Sequence, residues 1–204
     1  MGNQFSRAHR VSTSVPTPPG DEQAYIDLIT AANPLVTHNV SFTLEAVTTQ
    51  DLGDVSVVSA IAASVRFTYE CVVRVDDLNA DVNFIYLFDG SSNEQGFLVY
   101  DSGVQKFKTR FVNGTGANKG QITSTITPVV GQEYHLIYTH VSNNTSNGTK
   151  LYINGVLDAE ANGATAVRAT SVEPYSMQGN LRGVAIYDRL FAVTEVVSHY
   201  NAAF

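Results

Sequence analysis

Alternation of apolar and polar residues dominates the second half of the chain. From Glu133 to Val141 (EYHLIYTHV), Tyr134, Leu136 and Tyr138 alternate with His135, Ile137 and Thr139. That is the two-residue period of a strand, with Ile137 making the second face partly apolar. After the break SNNTSNG, Thr149 to Val156 (TKLYINGV) alternates again and meets Asn154-Gly155. This dipeptide predicts a tight type I′ turn into a further strand at 156–159. Upstream, 39–47 sets Val40, Phe42, Leu44 and Ala46 on one face, and 65–75 does the same with Val65, Phe67, Tyr69, Cys71, Val73 and Val75. The small-residue apolar run 55–63 reads as a buried strand. Short strands follow at 84–88, 96–100, 106–112, 121–126 and 183–187, split by Gly, Asn, Asp and Ser clusters. Strands at this spacing with turn signals between them predict a sandwich or barrel.

Two segments depart from the β pattern. In 21–32 (DEQAYIDLITAA), acidic residues open the segment, Tyr25, Leu28 and Ile29 fall at i, i+3 and i+4, and Asn33-Pro34 closes it, which predicts a short helix. At the other end 192–200 (AVTEVVSHY) is helical in pattern, with Thr194 as the expected cap and Glu195 in the first turn. Residues 1–20 are polar and then proline-rich, with Pro16, Pro18 and Pro19, a composition that favours an extended arm. The division read from sequence is an arm with one docked helix over 1–37 and a β domain over 38–204.

Composition narrows the function. Twelve Lys and Arg against nineteen Asp and Glu give a net charge of −7, which argues against an electrostatic nucleic-acid partner. No run of 18 apolar residues is present, and no apolar h-region follows the basic N-terminal residues, so neither a membrane span nor a Sec-type leader is read. The lone Cys71 cannot form an intramolecular disulfide and reads as a small buried apolar residue. Met1-Gly2-Asn3-Gln4-Phe5-Ser6 fits the myristoylation pattern at Gly2, the one route to a membrane that the sequence offers.

Three stretches carry a resemblance. An F-T-x-E strand begins at Phe67. G-x-x-Y-H-L at 131–136 leads to K-L-Y-I-N-G-V, and G-x-L-R-G-V-A-I-Y-D-R-L from Gly179 is followed by T-E-V-V-S-H-Y-N. Together they resemble the laminin-G-like, concanavalin A-like lectin/glucanase superfamily over about residues 38–204. The resemblance implies an all-β, two-sheet antiparallel jelly-roll sandwich, here with an extended N-terminal arm and a short C-terminal helix, and a ligand site on the loop rim of a concave sheet. Members usually carry Trp where this chain has Tyr134 and Val72, and this chain contains no Trp, which marks it as divergent.

Hydrolases of that superfamily use two glutamates spaced E-x-D-x-x-E, acid and nucleophile on one strand. No such triplet occurs here, and G-x-S-x-G, H-E-x-x-H and a phosphate loop are missing as well, so the chain is not expected to be an enzyme. His135 and His140 are five apart on one strand and fall on opposite faces, so they cannot share a metal. The polar loops between strands supply the expected ligand rim: Asp89, Asn93, Asn113, Asn143 and Asn144. No cofactor is required by these motifs. Calcium, which laminin-G-like domains often bind at that rim, would draw on Asp76, Asp77 and Asp101.

A fold that normally works outside cells, without a leader or a disulfide, suits a virion component made in host cytoplasm. The leading expectation is therefore a non-enzymatic virion structural or accessory protein (capsid-decorating, minor capsid or tail module). Its arm would bind other virion proteins or copies of itself. The alternative is a lectin-like adhesion module that binds surface glycans, and a glycoside hydrolase is the third reading.

Overall fold

A computed structural model describes residues 22–38, 44–51, 66–88, 94–112, 118–141, 147–162 and 176–204. The chain order is α1 (Glu22–Ala31), β1 (Val36–His38), β2 (Glu45–Asp51), β3 (Arg66–Arg74), β4 (Val82–Phe88), β5 (Glu94–Asp101), β6 (Lys106–Val112), β7 (Asn118–Thr123), β8 (Glu133–Val141), β9 (Thr149–Ile153), β10 (Val156–Ala161), β11 (Ser176–Tyr187) and α2 (Val193–Ala203). Every strand pairing is antiparallel. One hydrogen-bonded path runs β10-β9-β8-β3-β11-β4-β5-β6-β7, with β1 and β2 also on β11. Among the described residues its two halves join through the register pair Ser176 with Tyr86, and they fold over each other as a two-sheet sandwich.

The two-residue period decides what lies between the sheets. Phe67, Tyr69, Cys71 and Val73 of β3, with Tyr134, Leu136 and Tyr138 of β8, meet Phe84, Leu98, Tyr100, Phe107 and Ile122 of the β4–β7 sheet. The Phe107 and Tyr134 rings meet edge to face at 5.4 Å. The Tyr134 hydroxyl accepts from Val129 N at 2.9 Å, so the polar tip is satisfied. Across the open edge, Asp158 of β10 accepts from Thr125 N and Thr125 Oγ1 just past β7, at 2.8 and 2.5 Å.

The other face of the β11-β3-β8-β9 sheet is apolar too, and the helices cover it. Tyr25 and Ile29 of α1 and Val196 and Ala203 of α2 pack on Val72, Ile137, Tyr152, Ala185 and Tyr187. This explains Ile137, which reads as an anomaly in an alternating strand: both faces of β8 are buried. Ten residues are too few for a helix stable alone. Burying Tyr25 and Ile29 is worth about 1.5–3 kcal/mol each, so docking is what forms α1. Residues from Glu22 onward thus belong to the packed body, and β1 pairs with β11 through Val36–Ile186, Thr37–Ala185 and His38–Val184.

Several expectations are settled in detail. Asn154 and Gly155 sit at φ 51° and 77°, the left-handed pair of a type I′ turn. His135 and His140 do lie on opposite faces, His135 toward the helices and His140 stacked at 4.9 Å on Phe67 in the sandwich core. Thr194 does not cap α2. The N-cap is Ala192, and Glu195 reaches back to accept from Ala192 N at 2.8 Å, so only the acidic half of a capping box forms. The strand expected at 55–63 and the arm over 1–21, with Gly2, lie outside the described residues.

Candidate functional site

Where the helix layer meets the sheet, one carboxylate collects the polar residues of all three resemblance motifs. Glu70 on β3 is fully buried. It accepts from His135 Nε2 at 2.8 Å, Tyr187 Oη at 2.8 Å, His199 Nδ1 at 3.0 Å and Tyr25 Oη at 3.3 Å. Burial alone would raise a carboxyl's pKa. The hydrogen bonds and charge of His135 and His199 outweigh it and bring Glu70 down to about 2, so the group is ionised at neutral pH. An ionised carboxylate only accepts, which makes all four neighbours donors and fixes His199 with its proton on Nδ1. Burial first, then the charge of Glu70, pushes the Tyr25 and Tyr187 hydroxyls far up, so both remain protonated donors.

Two further fasteners flank this cluster. Thr68 Oγ1, two residues before Glu70, donates to Arg189 O at 2.7 Å and accepts from Phe191 N at 3.2 Å, pinning the turn that launches α2. Arg182 Nη2 donates to Ala203 O at 3.0 Å and to Glu133 Oε2 at 3.0 Å, pinning the end of α2. Gly183, at φ 58°, lets α1 approach: a Cβ there would fall 2.3 Å from Tyr25 Oη. F-T-x-E, Y-H-L, L-R-G-V-A-I-Y and S-H-Y-N are therefore the parts of a clamp that seals helices onto a sheet. Glu70 is closed to solvent and has no room for a substrate atom. Sequence reasoning missed this cluster, although a titratable residue inside each matched motif was the available signal.

The clamp leaves one exposed opening beside it, a cleft of about 260 Å³ between α1 and α2. Its walls are Leu28, Ala31 and Ala32 on one side and Thr194, Glu195 and Ser198 on the other, with His199 and Arg189. Arg189 Nη1 pairs with Glu195 Oε1 at 2.7 Å, and its guanidinium carbon lies 4.8 Å from the Phe191 ring centre.

With one sheet roofed by helices, the face of β4–β7 away from the core is the remaining sheet surface among the described residues, on which Thr123 is exposed, Asn83 and Lys108 are half-buried and Val99 is buried. Its register aligns Asn83, Val99, Lys108 and Thr123 in a row across all four strands. Lys108 Nζ donates to Asp101 Oδ2 at 2.5 Å. This holds the Asp101 carboxyl below its usual range, with Lys108 as the largest cause of the lowering. An amide, a hydroxyl and a cation around a valine suit a ligand with hydroxyls and an apolar edge.

The expected rim lies outside the described residues: Asp89, Asn93, Asn113, Asn143 and Asn144 all do. The strand ends that flank 89–93 and 113–117, Phe88 with Glu94 and Val112 with Asn118, lie at the same end of the β4–β7 sheet. The three acidic calcium candidates are described, and each has local partners. Asp76 accepts from Arg74 Nε at 2.7 Å and from Asn180 Nδ2. Asp77 accepts from Asn79 N at 2.8 Å, and Asp101 serves Lys108 and Val104 N. Their neighbour Asp81 binds Ser102 N and Oγ. Among the described residues no group of three or more His, Cys, Asp or Glu is gathered for a metal ion. No helix among them is long and apolar enough to cross a membrane.

Comparison with known families decides the lineage. The family model described as the concanavalin A-like lectin/glucanases superfamily, of laminin-G type, matches residues 47–197. The chain belongs to that superfamily. Among solved structures, the carbohydrate-binding module CBM40 of the Ruminococcus gnavus IT-sialidase, bound to α2,3-sialyllactose, matches at TM-score 0.65 and 12% identity. The match covers 81% of this chain and 98% of the module. The unbound module matches at TM-score 0.64 and 13% identity, with the same coverage of 81% and 98%. The Trypanosoma rangeli sialidase in complex with the inhibitor DANA matches at TM-score 0.50 and 16% identity over 68% of this chain. This chain spans 23% of the sialidase's length. At these identities the likeness is one of fold. No curated protein matches the chain.

Proposed function

We propose that this chain is a non-catalytic carbohydrate-binding module of the concanavalin A-like superfamily, taking its glycan on the outer face of β4–β7 and the loops at the end of that sheet. The observation that carries the reading is the likeness to CBM40 over 98% of that module's length, a unit whose bound state holds a sialylated glycan. The closed helix layer supports it, because it leaves the face of β4–β7 away from the core as the remaining sheet surface among the described residues. The row Asn83, Val99, Lys108 and Thr123 supplies donors, acceptors and an apolar floor. The comparisons favour this reading over a virion part, for which they offer nothing. Partners are accordingly glycans carried on a surface.

A glycan array probed with the intact chain, with calcium and with a chelator, tests the proposal. Saturable binding to one glycan family is expected, with the bound glycan unchanged by mass spectrometry. A folded chain that binds nothing on the array in either condition overturns the sugar-binding reading. A cleaved glycan overturns its non-catalytic half. Binding lost with the chelator would assign a calcium role to the acidic turns, and equal binding would remove it.

A further inference from the structure

The cleft between the helices has a chemical character that the clamp itself imposes. His199 is 2% exposed and lines the cleft. Its Nδ1 is committed to Glu70, at 3.1 Å from Oε1 and 3.0 Å from Oε2. Nε2 makes no hydrogen bond among the described residues, and the ring lines the opening. A buried imidazole oriented by a carboxylate behind it and left unpartnered in front is an arrangement built to meet a ligand.

The charges around it select the class. Arg189 is already neutralised by Glu195 at 2.7 Å, Glu70 stands behind His199, and the chain carries −7, so an anion meets no uncompensated cation here. What remains is the unbonded Nε2, the guanidinium N–H groups that Glu195 does not use, and the apolar wall of Leu28, Ala31 and Ala32. Polar atoms at the margin of an apolar wall match the hydroxyl edge and C–H face of a pyranose. The volume of about 260 Å³, below the ~300 Å³ at which pockets for drug-sized ligands begin, suits a small occupant of one ring.

We infer that the α1–α2 cleft is a second sugar site, which takes a single neutral monosaccharide unit with one hydroxyl hydrogen-bonded to His199 Nε2 and another accepting from Arg189. The site is separate from the β4–β7 face and does not depend on the reading given above. Through His199, an occupant would also touch the clamp that holds α2 on the sheet.

The test follows the His199 imidazole ¹⁵N and ¹³C signals by NMR in the intact chain. Galactose, mannose and N-acetylglucosamine are titrated at millimolar concentrations, with inorganic phosphate as the anionic comparator. Ala31→Phe fills the cleft without touching the clamp, and Lys108→Ala alters the sheet face alone. A saturable shift of His199 with at least one sugar is expected, at least about tenfold weaker in A31F and unchanged in K108A. The inference is overturned if no sugar moves the imidazole, if A31F responds like the parent, or if phosphate acts at lower concentration than any sugar. Loss in K108A with retention in A31F would place the sugar on the sheet and reject the cleft, while leaving the carbohydrate-binding proposal standing.

Discussion

Replacing Glu70 by Gln removes the charge at the centre of the clamp and little else. The native carboxylate takes donors from His135, His199, Tyr187 and Tyr25. A glutamine has one carbonyl oxygen and an NH₂ that itself donates, so at least one of those four groups then faces an N–H. Two routes give the size of the loss. The carboxyl falls from 4.5 to about 2, and at about 1.36 kcal/mol per pH unit the ionised form is favoured by about 3 kcal/mol. Breaking a buried charged network by removing one member costs about 3–5 kcal/mol. The two agree at about 3 kcal/mol, a fall in Tm of about 6–12 °C for a domain of this size. The pH dependence has a definite sign. A depressed carboxyl contributes fully above the unfolded value near 4.5, and its contribution fades as pH falls toward 2, so the difference between parent and E70Q shrinks to about 1 kcal/mol at pH 3. Urea unfolding followed by far-UV circular dichroism at pH 7 and pH 3 measures both. A loss below about 1 kcal/mol at pH 7, or one that does not change with pH, refutes the clamp.

Other perturbations probe other parts of the same layer. Gly183→Ala forces a Cβ onto Tyr25 at a left-handed position. A loss of about 2–4 kcal/mol is expected, with faster hydrogen exchange in 22–31; unchanged exchange would show that α1 is not held there. Thr68→Val leaves the buried Phe191 N–H without its acceptor. The expected cost is about 1–3 kcal/mol, read by denaturant unfolding, and a neutral result would contradict the pinning of the 188–191 turn. Burial lowers His140 from 6.5 to about 4. The unfolded chain therefore binds a proton that the folded one refuses, and stability declines by about 3 kcal/mol as pH falls from 6.5 to 4. His140→Phe should flatten that part of the pH profile, and a profile of unaltered slope there would disprove the assignment.

The strand grammar was readable because each strand has a two-residue period with a buried face, and because Asn154-Gly155 can form few turns other than the one it forms. The fold class followed from that pattern and from the motif resemblance. What the pattern concealed was the second buried face. Val72, Ile137 and Tyr152 look like lapses in alternation until α1 and α2 are seen to cover them. The clamp was hidden for a related reason. Glu70, His135, Tyr187 and His199 lie on four separate elements, with up to 129 positions between partners, and no local spacing reports such a convergence. Thr194 misled because hydroxyl residues are the usual caps, whereas the cap here lies two residues earlier, at Ala192, and the helix begins at Val193. The acidic turns read more readily as solvated turns than as calcium ligands. Asp77 accepts from Asn79 N two residues on, a local turn bond, and Asp81 accepts from Ser102 N of a neighbouring turn.

The central claim is that β4–β7 presents the glycan face of a binding module, and amide NMR of the intact chain titrated with the best oligosaccharide from the array tests it most directly. The account predicts saturable shifts concentrated at Asn83, Val99, Lys108 and Thr123 and at the strand ends around 88–94 and 112–118, with the oligosaccharide recovered intact. Shifts confined to α1 and α2, or recovery of a cleaved sugar, would contradict it.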